Sequence, residues 1–334
     1  ERRYEMDKTI ESYLSKLEFG ELQAIDNIGI LPLFADVDYK LEYLTLKDAL
    51  EAGTLDIKEV DSDGSVPELK AINKGKTKVL LLDGEELAGA KQNRILNTTI
   101  LLKEESETII PVSCTEQGRW SSVSEEFHNS GIHASPSLRS KKAYAVAESL
   151  GQRAGYSADQ GAVWDHVEQQ HLYSKIDDRL SPTRAMRNVY EARKKNLDEY
   201  FKSFEHVPHQ KGIMVFINGK AVGFDSIPLE SAYRTLHEKL VKSYVMDAIL
   251  EKKKDDDKSS VKKAGAFLEK VTASDEKKYR SMGCGSDYRY TGIGITGSSL
   301  KYDKEVVHMG FFKFIGSDRH GRMASYRRRR GFRS

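Results

Sequence analysis

An α+β fold is predicted for this 334-residue chain, with strand groups towards both ends sharing one sheet system around a helical middle. Three observations carry that expectation. Residues 28–120 are dominated by short apolar runs with strand-like alternation. From Pro136 onwards the apolar residues recur at helical spacing. Tyr288 to Phe314 then returns to alternation.

The elements follow in order. Ile10, Tyr13, Leu14 and Leu17 make a helical stripe within Met6 to Leu17. Ile28 to Phe34 is an apolar run that Pro32 marks as an edge or bent strand. Leu46 to Glu51 reads as a helical turn. Thr54 to Val60, Thr77 to Leu82, Ile95 to Leu102 and Thr108 to Cys114 read as strands. Ser137 to Leu150 is a helix capped by Ser135 or Ser137, and Ala162 to Ile176 is a second. Ser181-Pro182 opens a third, running to Phe204. Asn218-Gly219 between IMVFI and KAVGF predicts a two-residue hairpin. A helix from Pro228 to Leu250, the charge run EKKKDDDK as a solvated loop or frayed helix end, and a helix over Ala264 to Tyr279 complete the middle. No Pro/Gly/Ser linker interrupts the chain, so the expected organisation is a leading helix (1–24), one α+β domain (25–318; β over 25–135, mainly helical over 136–280, β over 281–318) and a basic tail (319–334) without order.

Composition excludes several classes. Lys and Arg number 53 against 51 Asp and Glu, so net charge gives nucleic-acid binding no support and only local clusters could. The two cysteines, Cys114 and Cys284, form no CxxC, which excludes a disulfide framework and a cysteine-rich zinc site. Free thiols fit a cytoplasmic location. No apolar run reaches the ~20 residues of a membrane helix, and the opening ERRYEMDKTI has neither a signal-peptide pattern nor an initiator Met, as if the start had been trimmed.

Two polar clusters at the ends of apolar runs mark a candidate site. The first holds Asp83, Glu85, Glu86, Lys91, Gln92, Asn93 and Arg94; the second holds Glu116, Gln117, Arg119 and Trp120. As a site, Glu85 or Glu86 is a general acid/base, Lys91 and Arg94 bind an anion, Glu116 is a second carboxylate, Arg119 is a clamp and Trp120 stacks on a ring. As plain structure, Glu85 or Glu86 pairs with Lys91 or Arg94 to close a turn, Arg119 pairs with Glu116 and Trp120 fills a core. A hairpin joining the two clusters favours a site.

Other features are weaker. His308 in VVHMGFFKF shares a strand face with Val306 and Gly310, where a satisfied core histidine is the commoner outcome than a catalyst. His166 and His171 lie about 140° apart round a helix, and His128 and His133 fall in a loop, so no metal is assigned. Gly292, Gly294 and Gly297 spell GxGxxG without the strand–turn–helix context of a dinucleotide site, and read as a tight β turn or as room for a ligand to approach the backbone. The tail carries Arg319, Arg322, Arg327, Arg328, Arg329, Arg330 and Arg333 with Tyr326 and Phe332, a composition that either grips RNA or simply solvates.

The runs LLLDGEELAGAKQNR, VSCTEQGRW and GIGITGSSLKYDKEVVHMGFF resemble the prokaryotic family named for its association with ADP-ribosylglycohydrolases and rhodanese-phosphatases, over roughly residues 25–316. The resemblance implies a nucleotide-like ligand, by genomic association with ADP-ribose and phosphate chemistry in conflict or nucleotide-handling systems. It carries Glu85, Glu86, Lys91, Gln92, Asn93, Arg94, Glu116, Arg119, Trp120 and His308 as the family's matching positions, and leaves the tail outside. The expectation is a protein that binds or processes a nucleotide or ADP-ribose derivative. If an enzyme, it would be a hydrolase or transferase; its cofactor is unknown. The alternative is an RNA- or ribosome-associated protein docking through Arg327 to Arg330, and a third reading is a partner-binding scaffold.

Overall fold

The computed structural model describes residues 6–61, 67–119, 123–176, 183–251, 253 and 258–314. The arginines of the tail, Trp120, Ser181, Pro182 and most of the EKKKDDDK run lie outside the described residues.

The chain opens with helix α1 (Lys8–Ser15), whose N-cap Asp7 accepts from the Thr9 amide, and three strands, β1 (Leu17–Phe19), β2 (Gln23–Ile25) and β3 (Ile28–Ala35). Next come β4 (Tyr43–Thr45), α2 (Leu46–Glu51), β5 (Leu55–Glu59), β6 (Glu68–Asn73), β7 (Lys78–Leu81), β8 (Glu85–Gly89), β9 (Arg94–Leu96), β10 (Ile100–Leu102), β11 (Ser106–Cys114) and β12 (Phe127–His133). The helical middle holds α3 (Pro136–Gly151), α4 (Gln160–Ser174), α5 (Met186–Ala192) and α6 (Lys194–Phe201). The hairpin β13 (Gly212–Ile217) and β14 (Lys220–Ser226) precedes α7 (Glu230–Leu250) and α8 (Val261–Thr272). The last described strands are β15 (Asp275–Arg280), β16 (Ser286–Gly292), β17 (Ile295–Tyr302) and β18 (Glu305–Lys313). This is an α+β fold.

Among the described residues the largest sheet runs β1-β3-β13-β14-β18-β17-β16-β15, with β2 also on β3. Alternation on β13 shows why it is buried on both faces. Ile213, Val215 and Ile217 join the core beneath α7, while Met214 and Phe216 join the core beneath α1 and α8. The remaining strands form two further sheets, β12-β8-β9-β11-β6-β5 and β10-β7-β4, the latter with a parallel β4–β7 pair. Their facing side chains, among them Leu69, Leu87, Leu96 and Ile110, make a third core closed by Leu46 and Ala49 of α2. The six-stranded sheet curls until Lys58, on its edge strand β5, reaches Glu126, just before the other edge strand, at 2.9 Å.

Several expectations are corrected. Of the early strands only β1, β2 and β3 share the large sheet; β4 to β12 build sheets of their own. Pro32 lies inside that sheet, yet its missing N–H faces the gap between β1 and β2, where its carbonyl still accepts from Gly20 at 2.8 Å. The run Ile95 to Leu102 is two strands: Asn97, Thr98 and Thr99 carry the chain from one sheet to the next. The expected helix to Phe204 breaks at Arg193 into α5 and α6. The expected helix to Tyr279 ends at Thr272, and DEKKYR is instead an edge strand whose charges blunt further pairing. His128 and His133 sit on β12, not in a loop. The predicted hairpin forms with Asn218 and Gly219 both at positive φ, and Ile293-Gly294 closes the β16–β17 turn.

Candidate functional site

The two polar clusters meet. Strand β11 pairs with β9, which puts Glu116 beside Asn93. The Asn93 amide donates to Glu116 Oε2 at 3.3 Å, and Gln92 Nε2 donates to the Glu116 carbonyl at 3.0 Å. Arg119 donates to Glu116 Oε2 through Nε (2.9 Å) and Nη2 (2.6 Å), to the Ala90 carbonyl at 2.7 Å and to Asn93 Oδ1 at 3.2 Å. Burial opposes the charge on Glu116, but Arg119 holds its carboxyl below the ordinary range. Arg94 is fully buried and donates to Gln92 Oε1 at 2.9 Å; the Cys114 thiol reaches the same oxygen at 3.1 Å. The Lys91 amide reaches Glu59 Oε1 at 3.5 Å. Arg119 is thus engaged with protein groups and buries the junction of the two clusters.

Neighbouring strand residues point to opposite faces of a sheet, and this separates Glu85 from Glu86. Both are fully buried. Glu85 accepts from the Leu82 amide at 2.7 Å and pairs with Lys239 of α7. Glu86 turns the other way, where Thr115 Oγ1 donates to its Oε1 at 3.0 Å, and its Oε2 has no hydrogen-bond partner among the described residues. Burial pushes the Glu86 carboxyl up to about 7, so near neutrality it is half protonated.

His308 belongs to a second, wholly buried network. Its Nε2 lies 3.2 Å from Asp225 Oδ1 and its Nδ1 lies 2.9 Å from Thr99 Oγ1. Asp225 also takes a two-pronged bond from Arg139 (2.8 and 2.7 Å) and one from Tyr244 (2.8 Å). Burial works against its charge, yet Arg139 and His308 hold its carboxyl well below the usual range. Arg139 Nε reaches Asp83 at 3.4 Å, and Lys142 pairs with Asp83 as well. Burial pulls Lys142 down to about 8 against the attraction of Asp83. Beside it, Asp287 pairs with Arg289 at 2.6 Å. His308 is therefore a satisfied interior histidine. His133, opposite Glu85 on β12, keeps a buried Nε2 without a partner among the described residues, and burial together with Arg139 leaves it neutral.

The solvent side of this core is an open cleft of about 540 Å³ between α2, β12 and α7. Its wall carries Lys47, Glu51, His128, Asn129, Ser130, Thr235, Glu238 and Lys242, and Lys239 lines it while holding buried Glu85. Ser130 in turn donates to the backbone carbonyl of Glu86 at 3.1 Å. The cleft therefore abuts β8, the strand carrying both carboxylates, although none of the site residues expected from sequence lines it and His128, which was given no role, does. No group of three or more His, Cys, Asp or Glu among the described residues is arranged to hold a metal ion.

Arg139, Lys142, Asp225 and Lys239 escaped the sequence reading. A signal was present: Arg139 and Lys142 interrupt the buried stripe of Leu138, Ala143 and Val146, and Lys239 stands between Leu236 and Leu240. A charge on an apolar face demands a buried counter-charge.

No curated protein and no solved structure matches this chain. A family model, described as the ARG and Rhodanese-Phosphatase-superfamily-associated Protein domain, matches residues 16–312, which span the described sheets and helices from β1 to β18. The chain belongs to that family.

Proposed function

We propose that the chain binds a nucleotide-like ligand, of the ribose-phosphate kind found in ADP-ribose, in the cleft between α2, β12 and α7. The observation that carries this reading is Lys239. It is 7% exposed, its ammonium is held by a buried carboxylate, and it still forms part of a cleft wall. A buried cation at the base of an open cleft is built at a cost and gives a fixed point of positive charge for a phosphate. Lys47 and Lys242 add two more ammonium groups on the same wall, while Glu51, Glu238, Asn129 and Thr235 offer acceptors and donors for sugar hydroxyls. The volume falls in the few-hundred to ~1,000 Å³ range of small-molecule sites. Glu85, behind Lys239, fixes the position of its ammonium, and Glu51 and Glu238 are the carboxylates on the cleft wall itself.

Isothermal titration with ADP-ribose, AMP and ribose 5-phosphate tests the reading. Lys47→Ala/Lys242→Ala removes the Lys47–Glu51 pair, the Lys242 pairs with Asp198 and Glu238 and the Lys242 ammonium over the Phe201 ring, all near the surface, so folding should persist while affinity falls at least tenfold. Thr235→Trp should block the cleft. If the unaltered chain takes up none of the three ligands, or binds them equally well in both variants, the cleft is not the site.

A further inference from the structure

The helical middle carries an exposed face that the cleft does not use. Leu172 and Tyr173, at the end of α4, are 71% and 68% exposed. Lone exposed apolar residues are ordinary, but these two sit among cations. The Arg193 guanidinium, from the α5–α6 junction, folds over the end of α4, with Nη2 at 3.3 Å from the Tyr173 carbonyl and Nε at 3.3 Å from Ser174 Oγ. Lys194 and Lys195 follow directly and are exposed, as is Lys175 at the α4 C-cap. Nearby arginines are neutralised: Arg184 pairs with Glu168 at 2.9 Å and Arg187 with Glu191 at 2.7 Å. Lys175, Arg193, Lys194 and Lys195 make no ion pair among the described residues. Three of these four stand in succession at the start of α6, where the helix dipole disfavours positive charge. In a chain whose net charge is only +2, this is a local concentration of cations that no ion pair among the described residues neutralises.

We propose that this face, the end of α4 with the first turn of α6, binds single-stranded nucleic acid. The cations follow a phosphate backbone, and Tyr173, with Leu172 beside it, gives a base a flat apolar surface on which to stack. A duplex hides its base faces, so the exposed aromatic selects a single strand. The proposal is independent of the cleft and of the terminal arginines.

The test is fluorescence anisotropy of labelled oligo(U) with the whole chain, between about 50 and about 200 mM salt. Lys194→Glu/Lys195→Glu should weaken binding at least tenfold and flatten the salt dependence by about two charges. Tyr173→Ala should weaken it about fivefold or more while leaving the salt slope in place. A variant with Arg327 to Arg330 replaced by Ser should leave both effects intact. The proposal is overturned if binding disappears only in that last variant. It is also overturned if duplex RNA binds better than oligo(U). Displacement of oligo(U) by an acidic peptide, with Tyr173→Ala silent, would mark a surface for an acidic protein instead. All three substituted side chains are exposed, and a thermal melt matching the unaltered chain confirms that each variant is folded.

Discussion

Glu85 and Glu86 are adjacent and chemically alike, and their surroundings give them different properties. Glu85 meets an ammonium and a backbone amide. Glu86 meets only the hydroxyls of Thr115 and Ser130 among the described residues, and burial pushes it up to about 7. The sign of the pH effect follows. Between its ordinary value of 4.5 and about 7, folded Glu86 binds a proton that the unfolded chain has lost, so stability falls as pH rises through that window. The cost at pH 8 is up to about 3 kcal/mol. Glu86→Gln should therefore stabilise the chain at pH 8, leave it nearly unchanged at pH 4.5 and flatten the profile between; urea unfolding at several pH values measures this. An unchanged slope would mean that Glu86 is ionised in the fold at all these values.

Elements are shaped by what passes beside them. Strand β17 runs between β16 and β18, and Gly297 lets β18 close on it: a Cβ there would lie 2.5 Å from the Phe311 ring and 2.6 Å from the Gly310 carbonyl. Gly297→Ala should cost about 1–3 kcal/mol through overpacking, read as a lower denaturation midpoint. Local pattern alone predicted strands within Tyr288 to Phe314, the Asn218-Gly219 turn and α7. It failed at β15, because DEKKYR carries charge on both faces and has no apolar period to betray a strand. It failed again over Ile95 to Leu102. The polar break Asn97-Thr98-Thr99 is as buried as the apolar residues around it, because Thr98 and Thr99 turn inward to Asp287 and His308 instead of marking a solvent turn.

At the scale of the whole molecule, the buried charges tie the sheets together. Asp83 precedes β8 of the curled sheet, Arg139 stands on α3, and Asp225 and His308 lie on β14 and β18 of the large sheet. Hydrophobic contact holds these parts together without fixing their relative setting, whereas a two-pronged guanidinium–carboxylate bond has one geometry. Asp225→Asn removes the two-pronged partner of Arg139 in a dry interior, leaves it the 3.4 Å contact with Asp83 and should cost about 3–5 kcal/mol, seen in chemical denaturation. A loss under 1 kcal/mol would mean that Asp83 or water takes over the Arg139 charge.

Residue type and spacing alone carried the fold class, the strand-rich ends and helical middle and the two polar clusters, and the motif runs carried the resemblance to the family. That these clusters touch was decided by the β9–β11 pairing. Packing in three dimensions chose the Arg119–Glu116 pair over an open clamp, sent Glu85 and Glu86 to opposite faces, and set Lys239, 154 positions away in sequence, against Glu85 beside a cleft. The physical reason is that a period of 2 or 3.6 encodes which face of an element is apolar, while the partner of a buried charge is set by which distant elements pack together, and no local pattern records that.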